Sequence, residues 1–201
     1  MVCSRKGGVC KSTLTWNLAA LSGGGVVDTD PQGTLRQMAS DVPVVASPGP
    51  QASADLKQAE RDHPLIWVDT PPVLDARTVA LMDGADHFLV PTAANAMGLE
   101  ATRLTLQEIG RKGRLEDALV VFTLTAARPD HGFLRGVTEA FGAGGVAVAK
   151  TLITRRVEVE AAPSFGVSVV SYKPNGKAVD ELQSLWAELK AHWGLKHAKH
   201  A

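Results

Sequence analysis

The sequence predicts a doubly wound α/β domain, a mostly parallel sheet with helices on both faces. Two observations carry this. Short aliphatic runs are apolar on both faces, as strands buried between two helix layers must be. They alternate along the chain with segments of helical period. Strand–helix alternation implies right-handed crossovers between parallel strands, with the ligand at the carboxyl ends of those strands.

The elements follow in order. Met1-Val2-Cys3 is a short opening strand that runs into the loop SRKGGVCKST at residues 4–13, and a helix is predicted over 11–21. Ser22-Gly23-Gly24-Gly25 is a tight link to a strand at 26–28. Further strands are predicted at 43–46, 65–69, 87–91, 118–124, 145–150 and 167–172, and helices at 53–61, 75–83, 96–112, 131–141 and 177–193. Residues 47–54 (SPGPQASA) form a loop by their Pro and Gly content. No repeat or linker divides the chain, so residues 1–195 are read as one domain and 196–201 as a frayed tail.

Composition narrows the function classes. The chain has 201 residues, 45% hydrophobic and 21% charged, with 21 basic and 21 acidic residues. A formal net charge of zero excludes a uniformly basic nucleic-acid binder, so any such role rests on a local patch. Two cysteines, Cys3 and Cys10, match neither a disulfide framework nor a zinc pattern. No signal peptide or membrane-spanning run is visible, and the expected compartment is the cytoplasm. The last helix carries Val179, Leu182, Leu185, Trp186, Leu189 and Trp193 along one stripe. Docking on the sheet is the expected use of that stripe. A membrane-surface helix is the alternative, opposed by Asp180, Glu181 and Glu188.

Against the general phosphate-loop pattern G-x-x-x-x-G-K-[ST], Lys11 and Ser12 fill the last two positions, Cys10 replaces the second glycine and Arg5 stands at the first. The run Lys6-Gly7-Gly8-Val9-Cys10-Lys11-Ser12-Thr13 resembles the deviant Walker A loop, KGGxGK[ST]T, of the ParA/MinD family of P-loop NTPases. Asp28-Thr29-Asp30-Pro31-Gln32-Gly33 is similar to that family's D-x-D-P-Q-G segment, and Leu65-Ile66-Trp67-Val68-Asp69-Thr70-Pro71-Pro72 to its Walker B strand and switch. Val90-Pro91-Thr92, Thr154-Arg155-Arg156, Ala161, Gly166 and Tyr172-Lys173-Pro174 continue the likeness. It covers nearly the whole chain and most resembles the short ParA/Soj type of partition ATPase, which has no helix-turn-helix ahead of the loop.

The residue chemistry agrees with the resemblance. Backbone N–H groups of the loop and of the helix start form an anion site, and Gly7 and Gly8 allow phosphate oxygens close approach. Val9 and Cys10 complete the loop. Lys11 places a point charge on the β- and γ-phosphates. Ser12 is expected to hold Mg²⁺ through its hydroxyl, Thr13 to bond the α-phosphate and Asp69 to sit in the metal's outer shell. The resemblance implies that Asp30 positions or activates the attacking water, that Asp28 supports the same switch, and that Lys6 reaches a partner's nucleotide across a homodimer. The expected catalytic set is then Lys6, Lys11, Asp30 and Asp69, with Thr123 and Pro174 as candidate adenine contacts. A helix-capping turn is the alternative for Asp28 and Asp30, and a solvated lysine for Lys6.

Cys10 departs from the pattern. A side chain there costs roughly 1–2 kcal/mol if the position requires a left-handed backbone. It also places a Cβ where phosphate approaches, so hydrolytic competence is left open. The expected function is an ATP- and Mg²⁺-dependent dimerising ATPase for plasmid or chromosome partition. It would bind DNA without sequence preference, associate with the nucleoid when ATP-bound and be released by a ParB-like centromere-binding protein. Arg155, Arg156, Lys173 and Lys177 are the candidate DNA contacts, with Arg128 behind them, and a solvated basic face is the alternative. The other readings are a MinD-like membrane-cycling ATPase and a non-hydrolysing adaptor.

Overall fold

A computed structural model describes residues 1–195. The frayed-tail expectation for 196–201 lies outside the described residues. In chain order the elements are α1 (Lys11–Ser22), β1 (Gly25–Asp28), α2 (Thr34–Met38), β2 (Val44–Ala46), α3 (Ala52–Asp62), β3 (Ile66–Asp69), α4 (Ala76–Leu81), β4 (Phe88–Ala93), α5 (Ala96–Arg111), β5 (Ala118–Thr125), α6 (His131–Ala143), β6 (Ala147–Val148), β7 (Ile153–Thr154), α7 (Val157–Ala161), α8 (Val169–Tyr172) and α9 (Lys177–Trp193).

Every strand pairing is parallel. One half of the sheet has the order β2-β1-β3, and the other runs β4-β5-β6 with β7 following β6 along the same edge of β5. The opening residues join the halves. Val2 bridges Asp69 on one side and Leu89 on the other. Val2 N–H donates to Val68 O at 2.9 Å, and Cys3 N–H donates to Leu89 O at 3.0 Å.

Two core layers follow from the period-2 alternation of side chains along each strand. Val27, Val68, Phe88, Val90 and Val120 face a layer with Leu56 of α3, Leu81 of α4 and Leu106 and Ile109 of α5. Val26, Trp67, Leu89, Leu119 and Val121 face the opposite layer, with Leu14 and Leu18 of α1 and Leu182, Leu185 and Leu189 of α9. The apolar stripe of α9 is therefore buried against the sheet, and the face a membrane would need is already covered. No helix among the described residues is long and apolar enough to cross a bilayer.

Three expectations are corrected. The run at 167–172 is not a strand. Ser168 caps α8 by accepting from Ser171 N–H at 3.2 Å, and Val169 is buried in a small cluster with Ala162, Ala178 and Val179. Short apolar runs suit a buried strand or a buried helical turn equally, and the serine cap decides. The strand at 145–150 contracts to Ala147–Val148, since Gly145 sits at φ 78° and Val146 N–H still bonds Phe141 O at the end of α6. The helix at 75–83 ends at Leu81 and gives way to a 3-10 turn, Met82–Gly84. The elements α2, β7 and α7 were not visible in the sequence, being five, two and five residues long.

Candidate functional site

The loop at residues 4–10 springs from the carboxyl end of the central opening strand and ends at the first turn of α1. Its backbone requires two left-handed residues, Gly8 at φ 71° and Cys10 at φ 65°. Gly8 is the residue suited to this, and a Cβ there would meet nothing within 4 Å. Cys10 occupies the helix N-cap with no side-chain cap bond. The left-handed condition attached to Cys10 is thus met, and a β-carbon is held where glycine has no strain. The thiol is half-buried and packs against the α1–α9 core layer. Burial pushes it up to about 11, with Glu160 adding in the same direction. Burial pushes Cys3 up to about 12. Both remain thiols near neutrality, so neither is a ready nucleophile. Val9 is buried, and its carbonyl accepts from Thr123 Oγ1 at 3.2 Å.

Lys11, the first residue of α1, is 7% exposed, and its Nζ donates to Lys6 O at 2.9 Å. Burial lowers its pKa against the opposing pull of Asp69 and Asp30. A desolvated ammonium held by a carbonyl rather than a carboxylate is suited to an anionic ligand. Next to it, Ser12 Oγ donates to Asp69 Oδ2 at 2.6 Å, and Thr15 Oγ1 lies 3.4 Å from Asp69 Oδ1. Asp69 closes β3 in full burial, which pushes its carboxyl up to about 7. The Ser12 hydrogen bond pulls it down, and Asp28 pushes it up.

A cleft of about 340 Å³ opens over these groups, lined by Gly7, Gly8, Cys10, Lys11, Ser12, Thr13, Asp30 and Pro72. The glycine cradle, the buried ammonium and the Ser12–Asp69 pair fit a polyphosphate with a divalent cation. Pro72 is a lining residue to which sequence reasoning gave no role. Its signal was the Asp69-Thr70-Pro71-Pro72 run, which carries the chain from β3 across the loop to within 3.7 Å of a Cβ built on Gly7.

Asp30 reaches the cleft from the turn after β1 and is half-buried. Its Oδ1 accepts from Gln32 N–H at 2.9 Å. Asp28 is buried. Its Oδ1 accepts from Asp30 N–H at 3.1 Å and its Oδ2 from Arg36 N–H at 3.4 Å, so it grips the start of α2. The capping geometry is therefore present at both aspartates, while Asp30 also fronts the cleft. Lys6 is half-buried at the loop's edge, and no ion pair to it occurs among the described residues.

The two candidate adenine contacts lie outside the lining of this phosphate-loop cleft. Thr123 is buried and holds the loop through Val9 O and strand β4 through Thr92 O, and Pro174 is exposed after α8. Leu124, beside Thr123, has φ 54° and is 40% exposed, a strained position that periodicity could not reveal.

The basic set divides. Lys173, Lys177 and Arg128 are exposed, and Arg155 is exposed with Nε on Glu160 Oε1 at 2.9 Å. Arg156 is corrected to a structural role. It is half-buried, with Nη2 on Glu181 Oε1 at 2.5 Å, while Glu181 Oε2 accepts from Thr154 N–H. That pair ties β7 to α9.

A family model described as the CobQ/CobB/MinD/ParA nucleotide binding domain matches residues 1–169. The chain is 32% identical over 206 residues to the maintenance of carboxysome distribution protein A of Halothiobacillus neapolitanus, covering 94% of each. It is 27% identical to the chromosome-partitioning ATPase Soj of Treponema pallidum, over 70% of this chain and 57% of that protein. Among solved structures, the septum site-determining protein MinD of Pyrococcus horikoshii, complexed with Mg-ADP, aligns with a TM-score of 0.72 at 16% identity. That alignment covers 99% of this chain and 98% of the other.

Proposed function

The chain belongs to the CobQ/CobB/MinD/ParA nucleotide-binding domain family, and on that premise we propose that it is an ATP-dependent dimerising switch of the ParA type. ATP occupies the cleft, two copies close over their nucleotides, and the closed pair holds DNA without reading its sequence. The observation that supports this most is the Ser12–Asp69 hydrogen bond of 2.6 Å beside the buried, desolvated Lys11 ammonium. Loop N–H groups and Lys11 receive the phosphates, Ser12 and Asp69 hold Mg²⁺, Asp30 orients the attacking water, and Lys6 serves the partner's site. Magnesium, when bound, neutralises charge on the phosphate oxygens. Arg155, Lys173 and Lys177 are the proposed DNA contacts, and a ParB-like protein the proposed partner.

One observation favours a second cargo. The match to a carboxysome-distribution protein runs over 94% of both chains. On this reading the switch positions a protein body rather than a replicon, with the same nucleotide cycle.

Calorimetric titration with Mg-ATP tests the premise. Wild type is expected to bind and Lys11→Ala to show no heat. Equal affinity in the two would remove the phosphate role of Lys11. DNA retention that requires ATP and falls steeply with salt is the second expected result.

A further inference from the structure

Between the cleft and the exposed face around Lys173 lies a carboxylate with four donors. Asp41 Oδ2 accepts from Ser168 N–H at 2.9 Å, Ser168 Oγ at 2.6 Å and Ser171 Oγ at 2.6 Å. Its Oδ1 accepts from Trp16 Nε1 of α1 at 2.7 Å. The neighbouring Ser40 donates through N–H and Oγ to Gly166 O, at 2.9 and 2.6 Å. Burial opposes the charge on Asp41, but these donors outweigh it and hold the carboxyl below its ordinary pKa, so Asp41 is a full anion at neutral pH.

The bonds form a continuous chain. Asp30 fronts the cleft, and Asp28 grips both Asp30 N–H and the start of α2. The five-residue α2 leads directly to Ser40 and Asp41. Asp41 holds Ser168, which is itself the N-cap of α8. The four-residue α8 ends at Tyr172, whose ring stacks on the exposed Phe165 at 5.2 Å, and Lys173 follows. Both short helices are thus fixed more by these polar ties than by their own ladders.

We propose that Asp41 is a positioning residue that transmits displacement of the Asp28–α2 segment to α8 and the Phe165–Tyr172–Lys173 surface. This rests on the proposed function only for what moves the segment, a ligand in the cleft. The competing arrangement is that Leu35, buried in the core, anchors α2 and absorbs the displacement.

The test needs no nucleotide. Gly33, at φ 59°, opens α2 next to the cleft, so Gly33→Ala strains the segment at its far end from Asp41. Hydrogen exchange of the α8 amides is read in four full-length chains: wild type, Gly33→Ala, Asp41→Asn and the double variant. Asn keeps the shape but turns one acceptor oxygen into a donor. Gly33→Ala is expected to speed α8 exchange about threefold or more when Asp41 is present and to leave it unchanged when residue 41 is Asn. If Asp41→Asn does not fold, Ser171→Ala, which removes one donor, is expected to reduce the response by about half. No α8 response to Gly33→Ala in the wild-type background overturns the proposal, as does the same response in both backgrounds, which would mark Asp41 as merely structural. Failure of the chain to bind ATP would remove the proposed function and leave this result standing.

Discussion

At Cys10 the backbone needs a left-handed conformation and the sequence supplies a side chain. The outcome turns on two small terms, relief of left-handed strain against loss of thiol packing. Cys10→Gly is therefore expected to change stability by less than about 1 kcal/mol while raising ATP affinity, measured by urea unfolding and titration. Cys10→Val should cost about 2 kcal/mol or more, because β-branched residues are outliers at positive φ. Equal stability of the valine variant would show that the loop relaxes instead. Asp69 gives a pH signature in the nucleotide-free chain. Its carboxyl rises from 3.8 to about 7 on folding, so the folded state binds the proton more tightly. The penalty for ionised Asp69 grows as pH climbs from about 4 and is complete above about 7. Melting temperature should fall across that window in wild type and fall less in Asp69→Asn, with Asp28, raised by burial in the same direction, leaving a residual slope. That Lys11, Ser12 and Asp69 lie together was legible in the sequence, because the loop spacing places the first two and the end of an apolar strand the third, whereas a role for Lys6 came from the family resemblance alone. Pro72, Leu124 and the anchoring role of Thr123 were not legible, since each depends on which strand ends lie side by side.

Among the elements, those with long apolar runs or helical stripes were legible and the short ones were not. The strands β1, β3, β4 and β5 declare themselves by burial on both faces, and α5 and α9 by their stripes. The helices α2, α7 and α8 are four or five residues long and carry no full period. Polar contacts from elsewhere in the chain hold two of them, Asp28 at α2 and Asp41 through Ser168 at α8. That is why the valine-rich run before Tyr172 reads as a strand in isolation. The start of α5 involves a close approach. Asn95 Oδ1 accepts from Gly98 N–H at 2.9 Å, and a Cβ on Gly98 would lie 2.3 Å from Ala93 O. Gly98→Ala should accordingly cost about 2 kcal/mol or more by urea unfolding, despite alanine's better helix propensity. A stabilised variant would mean that the β4–α5 corner shifts freely.

For the whole molecule, the cleft and four of the exposed large apolar side chains lie beyond the carboxyl ends of the strands. Val73 follows β3, Met97 opens α5 after β4, Leu124 ends β5 and Val157 opens α7 after β7, with exposures of 61, 75, 40 and 79%. Apolar side chains at that end suit closure against a second copy, with Lys6 at the loop's edge. Lys6→Ala is expected to keep monomer ATP affinity within about threefold and to abolish ATP-induced dimerisation in light scattering. Dimerisation at wild-type levels would return Lys6 to a solvated role. The doubly wound plan itself was legible from alternation alone, whereas the joining of two half-sheets through Val2 was not, because three residues carry no periodicity. Those three residues are both the molecule's spine and the root of the loop proposed to grip phosphate. A substitution there disturbs architecture and affinity in one stroke, so a turnover assay alone would mistake a loosened backbone for damaged chemistry.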